Sequence, residues 1–135
     1  MESSIPAELY WMTMTVAMTA IFYVPYIVYK ILEISLWDAL KTPDPNYRPK
    51  AEWVSRAKRA HYNAVENLVI FCPLVLAVVL LGKQNETTAM AAMIFFYARL
   101  AHWLVYTANL PALRTLAFIA GFFVQLTLAY QVVFT

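Results

Sequence analysis

From Leu9 to Tyr29 the chain carries no charged residue. At about 1.5 Å of rise per residue, a helix over this run covers the roughly 30 Å of a bilayer's hydrocarbon core. A membrane-spanning strand needs only about ten residues, so the length argues for helix. The composition agrees: 62% of the residues are hydrophobic and 13% are charged, whereas charged residues make up about a quarter of an ordinary soluble domain. In lipid every backbone N–H and C=O must be satisfied within the protein, and helices do this locally. The expected fold is all-α, an integral membrane four-helix bundle in a single domain over residues 1–135.

The four helices are expected at about 7–37, 52–81, 88–108 and 111–134. Met1-Glu2-Ser3-Ser4 lacks the basic start of a signal peptide, so the first run is read as a retained helix. Pro25 should kink it by freeing a backbone carbonyl. Residues 38–53 hold Pro43, Pro45 and Pro49 and form the one sizeable loop. Lys41, Arg48, Lys50, Arg56, Lys58 and Arg59 crowd that side. The positive-inside rule makes the loop cytoplasmic and places both termini outside. Pro73 is expected to bend the second helix, and Pro111 suits the first position of the fourth. Asn85-Glu86-Thr87 fits a glycosylation sequon but lies in a turn close to the bilayer.

Polar groups interrupt this apolar pattern at three places. Arg56-Ala-Lys-Arg59-Ala-His61-Tyr-Asn63-Ala-Val-Glu66-Asn67 heads the second helix. At about 100° per residue, Arg59, Asn63 and Glu66 fall on one face and His61 on another. In the third helix Arg99, His102 and Tyr106 share a face on the same half of the membrane. Arg114 and Thr115 lie in the first turn of the fourth helix, where a cation opposes the helix dipole and therefore serves some other purpose. Intramembrane ionisable residues are costly and mark functional sites.

Three arginines against one carboxylate leave an excess of positive charge. Guanidinium forks suit carboxylates and phosphates, and Glu66 could accept an ammonium group. A peptide-like molecule with carboxylates and an amine fits this demand. The plainer alternative is an internal network in which Glu66 pairs with Arg59 or Arg99. Lys30 is either a headgroup anchor or a ligand contact; Gln125 and Gly121 fit helix packing. Cys72 is the single cysteine, which rules out an intrachain disulfide. There is no metal-ligand cluster, phosphate loop, GxSxG or HExxH, and a net charge of +2 gives no ground for nucleic-acid binding.

Arg59-Ala-His61-Tyr-Asn63-Ala-Val-Glu66-Asn67 resembles the RAHxNxxEN signature of the MAPEG proteins, the membrane-associated proteins of eicosanoid and glutathione metabolism. Tyr97-Ala-Arg99-Leu-Ala-His102-Trp-Leu-Val-Tyr106 and Leu110-Pro-Ala-Leu-Arg114-Thr115 resemble the third and fourth helices of the same family, in order and with compatible spacing. The likeness is to its small bacterial members, which implies a bacterial inner membrane, or an endoplasmic-reticulum-type membrane in a eukaryotic host.

The resemblance implies a homotrimer that binds glutathione as cosubstrate between subunits near the cytoplasmic face. Residues matching Arg59, Asn63 and Glu66 hold it, those matching Arg99, His102 and Tyr106 complete the cradle, and His61 matches a contact from the neighbouring subunit. Lys30 approximately matches a cation for a glutathione carboxylate. Arg114, aided by Thr115, would stabilise the thiolate; Phe118 replaces a tyrosine found in some members. The implied activity is a microsomal-type glutathione transferase or peroxidase acting on lipophilic electrophiles or lipid hydroperoxides from the membrane. A non-catalytic lipid-binding or accessory protein on the same scaffold is the alternative, and another thiol or anionic cofactor in the arginine pocket is a third reading.

Overall fold

A computed structural model describes residues 4–135; Met1 to Ser3, part of the expected single domain, lie outside the described residues. Among the described residues the elements are all helical: α1 (Ala7–Ile21), α2 (Tyr23–Ile34), α3 (Leu36–Leu40), α4 (Glu52–Leu80), α5 (Glu86–Thr107) and α6 (Pro111–Phe134). Four spans, Ala7–Ile34, Glu52–Leu80, Glu86–Thr107 and Pro111–Phe134, are long and apolar enough to cross a membrane. The chain is an integral membrane four-helix bundle.

The first span differs from the single helix expected over residues 7–37. It breaks at Phe22, between α1 and α2. Pro25 explains the position, because its ring crowds the carbonyl four residues earlier, on Ile21, where α1 ends. Phe22 fills the break by stacking on Trp103 of α5, with ring centroids 4.7 Å apart. A second break falls at Ser35, whose φ of 89° turns the chain before its hydroxyl accepts the backbone N–H of Asp38 and caps α3. Pro73, by contrast, is carried inside an uninterrupted α4.

The other helix ends follow local chemistry. Gly82, at φ 66°, ends α4 in a left-handed turn, closed by bonds from Lys83 N–H to Val78 O and from Gly82 N–H to Val79 O. Asn109, at φ 63°, ends α5 by the same pair of bonds, from Leu110 and Asn109 to Val105 and Tyr106. Asn85 and Thr88 form a capping box at the start of α5. The Asn85 side chain also donates to Gln131, so the residue of the sequon is engaged in holding α5 to α6. Pro111 begins α6.

Helix α5 is the centre of the bundle and packs against α1, α4 and α6. Phe71 of α4 stacks on Phe95 of α5 at 3.8 Å, joined in the core by Val75, Val78, Ala92, Val124 and Leu128. Towards the loop side, Ala57, Ala60 and Ala64 are buried along α4, small residues that bring helices close where lipid provides no hydrophobic drive. Gly121 does this for α6: a Cβ there would touch Phe95 and Arg99. At the opposite end the carboxylate of Glu8 is buried at 3% exposure and accepts the Thr88 hydroxyl across α1 and α5.

Candidate functional site

Helices α4, α5 and α6 bring six of the expected residues together on the loop-side half of the bundle. Asn63 (α4), His102 and Tyr106 (α5), and Arg114 and Thr115 (α6) line one small cavity of about 210 Å³, with Phe118. Arg99 lies behind it at 1% exposure. One of its terminal nitrogens donates to Asn63 Oδ1 at 2.6 Å and lies 3.4 Å from His102 Nδ1. Its Nε and other terminal nitrogen are buried without partners. Arg99 therefore acts on the cavity through Asn63 and His102, whose positions it fixes.

Arg114 answers the question raised by its place in a helix's first turn. Its guanidinium lies over the Tyr106 ring, 4.8 Å from the centroid, a cation–π contact, and Tyr106 in turn packs edge-on against His102 at 5.5 Å. No carboxylate neutralises Arg114 among the described residues. Thr115 donates its hydroxyl to Pro111 O at 3.1 Å, so it must rotate before it can donate to a ligand.

A larger cavity of about 660 Å³ runs on from this one between α4 and α6, sharing Asn63 and Phe118 and extending past Ile70, Leu74 and Phe122. Glu66 lines it. The internal network with Arg59 or Arg99 does not form: Glu66 has no ion pair among the described residues. The polar wall of this cavity is instead a relay from Gln125 Nε2 to Asn67 Oδ1 (3.1 Å) and from Asn67 Nδ2 to Asn63 O (2.8 Å). Sequence reasoning passed over Asn67 as a site residue and gave Gln125 only packing. Their signal was an amide four residues after Asn63 and a second amide in mid-membrane.

Arg59 and Lys30 lie elsewhere. They line a third cavity of about 480 Å³ between α2, the loop and α4, with Arg48, Lys58, Tyr47 and Tyr62. The shared helical face of Arg59, Asn63 and Glu66 thus divides between two sides of α4. The cause is side-chain direction: helical side chains lean towards the N-terminus, so the long Arg59 reaches to the loop while Asn63 turns to Arg99.

His61 is the clearest departure. It is fully buried within the chain, with Nδ1 bonded to the Tyr26 hydroxyl at 2.9 Å and its ring 3.9 Å from that of Tyr23. It lines none of the three cavities. Within the chain it forms a packed support beneath Tyr23 and Tyr26, which do line the third cavity.

Microsomal glutathione S-transferase 1 of Mus musculus is 41% identical over 81 residues, 59% of this chain and 52% of the relative. The Bos taurus protein of the same name is 38% identical over 79 residues (58% and 51%), and the Homo sapiens one is 35% identical over 79 residues (58% and 51%). The chain spans about half the length of these curated relatives. A model of the MAPEG family matches residues 8–134. With nearly the whole described chain inside that match, the protein belongs to the MAPEG family.

Proposed function

We propose that the chain is a glutathione-dependent membrane transferase or peroxidase working as a homotrimer. The observation that carries this reading is the junction of two unlike cavities at Asn63 and Phe118. The small one holds an unneutralised guanidinium and suits a polar anion; the large one is mostly apolar and lies open to the membrane side. A water-soluble thiol in the first and a lipophilic electrophile in the second would meet at that junction.

Arg114 is the residue assigned to ionise the thiol. A thiol of pKa about 8.5 is only a few per cent ionised at pH 7. Each unit of depression requires about 1.36 kcal/mol of differential stabilisation of the anion, and a guanidinium in a poorly hydrated cavity supplies stabilisation of this kind. The thiolate sulfur then bonds to the electrophilic carbon while the leaving group departs with its electron pair. With a hydroperoxide, sulfur attacks the terminal oxygen and the O–O bond breaks; the alkoxide leaves and takes a proton, and a second glutathione thiol attacks the sulfenic acid so formed, expelling water and closing the disulfide.

Asn63, His102 and Tyr106 are assigned to hold the peptide, with Arg99 positioning them and Glu66 receiving the ammonium group. Arg59 and Lys30 face away from this cavity within one subunit, so they would reach the glutathione carboxylates only from an adjacent copy. The exposed, unpaired Glu66 on one side and the cation-lined third cavity on the other suit such a ring. The positive-inside rule would place this end of the assembly in the cytoplasm.

Adding glutathione to the purified protein should raise ultraviolet thiolate absorbance with saturation. The absence of both a rise and saturable binding overturns the proposal. Crosslinking in native membranes should yield a species of three subunits and none larger.

A further inference from the structure

We infer that Gln125 sets the choice of electrophile: it favours a lipophilic chain that carries a hydroxyl about one helical turn below its reacting atom. This rests on the proposed placing of the electrophile in the large cavity between α4 and α6, and adds the chemistry the electrophile must bring. Gln125 is 6% exposed and is the one polar side chain that α6 gives to the lining, beside Phe118, Phe122, Leu126 and Ala129.

The relay that begins at Arg99 fixes which end of each amide faces which way. A guanidinium only donates and a backbone carbonyl only accepts. Arg99 therefore meets the oxygen of the Asn63 amide, at 2.6 Å. Asn67 turns its nitrogen to Asn63 O, at 2.8 Å, which leaves its own oxygen for α6. That oxygen takes its donor from Gln125 Nε2, at 3.1 Å. The oxygen of Gln125 is what remains. It accepts no hydrogen bond among the described residues, yet it is not one of the polar atoms that the helices seal off. On a buried residue that lines the cavity, it opens there.

An unpaired carbonyl oxygen in an apolar wall discriminates in one direction. A ligand hydroxyl satisfies it, whereas an ether or a methylene at the same point leaves it desolvated and unpaired. The other acceptors on the lining are engaged: Asn63 Oδ1 with Arg99 and Asn67 Oδ1 with Gln125. Glu66 lies exposed and is assigned to the ammonium group of glutathione. The level of the hydroxyl follows from α4. Thiol and electrophile meet at Asn63 and Phe118, and Asn67 lies four residues further from the loop, about 6 Å along the axis. In an extended chain that level is reached at about the fifth carbon from the sulfur. Past the relay the walls are Ile70, Leu74, Leu126 and Ala129, which suit the apolar remainder of the chain. The electrophile class is therefore a long-chain lipid derivative with an alcohol several carbons from its reacting atom.

S-alkyl glutathiones hold the sulfur at the junction and the chain in the large cavity, so they report on the two sites separately. Isothermal titration of the full-length protein in detergent would compare S-(5-hydroxydodecyl)glutathione with S-(5-methoxydodecyl)glutathione, and S-methylglutathione would report on the peptide site alone. The hydroxyl conjugate should bind about tenfold more tightly than the methoxy one. Moving both groups to the second carbon should remove that advantage. In Gln125→Met the ratio should fall to about one, while S-methylglutathione binds as before. A merely structural role for Gln125 would instead weaken both conjugates alike and keep their ratio. The ratio in the native protein is a test that needs no variant. If S-methylglutathione binds but the two long conjugates bind equally, or if Q125M keeps the preference, this inference falls and the glutathione reading stands. A neighbouring copy that donates to Gln125 would give that equality. If no conjugate binds, both fall.

Discussion

Arg114 of α6 rests on the ring of Tyr106 of α5, 4.8 Å from its centroid, and Tyr106 is itself braced by His102. The aromatic face holds the guanidinium in position while leaving its hydrogen-bond donors uncommitted to any carboxylate. The charge is thus held in place in the absence of any ligand, and an anion bound there would require little reorganisation.

If that charge lowers the thiol pKa, Arg114→Ala should cost most near neutrality. Between the depressed pKa and the free value of about 8.5 the native protein would hold thiolate and the variant thiol. Conjugation at pH 7 should fall about tenfold or more, for a depression of one unit or more. The deficit should shrink as pH rises above the free thiol's pKa, where both proteins bind thiolate. A pH–rate profile checks this; a deficit of constant size across the range would assign Arg114 to binding alone.

Glu66→Gln should leave the fold intact, because its carboxylate has no ion-pair partner among the described residues. Thermal stability in detergent should stay within about 0.5 kcal/mol of the native value, while glutathione affinity drops. Failure of the variant to assemble in detergent would mean that Glu66 serves a structural network rather than a ligand.

Asn63→Ala should behave oppositely. It strips the buried Arg99 of its 2.6 Å bond, at a cost of about 1.5–3 kcal/mol for a hydrogen bond to a charged group. Replacing the arginine as well, in Asn63→Ala/Arg99→Met, should recover stability, because the orphaned charge is gone. Denaturation of the two single variants and the double variant closes the cycle. Simple additivity would show that the two side chains do not depend on each other.

At the far end of the bundle, Thr88→Val should cost about 1–3 kcal/mol by leaving the buried Glu8 carboxylate without its donor and opening the capping box. Thr88→Ser should restore it. Glutathione binding, half a bilayer away, should be untouched in both, as isothermal titration can establish.

The spans were legible in the sequence because lipid leaves the backbone so few options, and Pro111, Gly82 and Asn109 mark helix ends by simple local rules. Arg99, His102 and Tyr106 share the face that their spacing indicates. What could not be read was the direction of long side chains and the identity of partners on other helices. His61 is buried because Tyr23 and Tyr26 of α2 close over it, and no periodicity within α4 reports that. Arg59 parts from Asn63 because an arginine reaches several ångströms from its own Cα, further than a helical wheel records. The relay through Asn67 and Gln125 required knowing that α4 and α6 meet at that level.

The bond between Arg99 and Asn63 also constrains how the chain can enter its membrane during synthesis. Helix α5 brings a guanidinium into hydrocarbon, where a lone charge is expelled or drags water with it. Its hydrogen-bond acceptor is on α4, and only the short turn at residues 81–85 separates the two helices. Entering together as a hairpin, the two arms would present the arginine with its acceptor as soon as it leaves water.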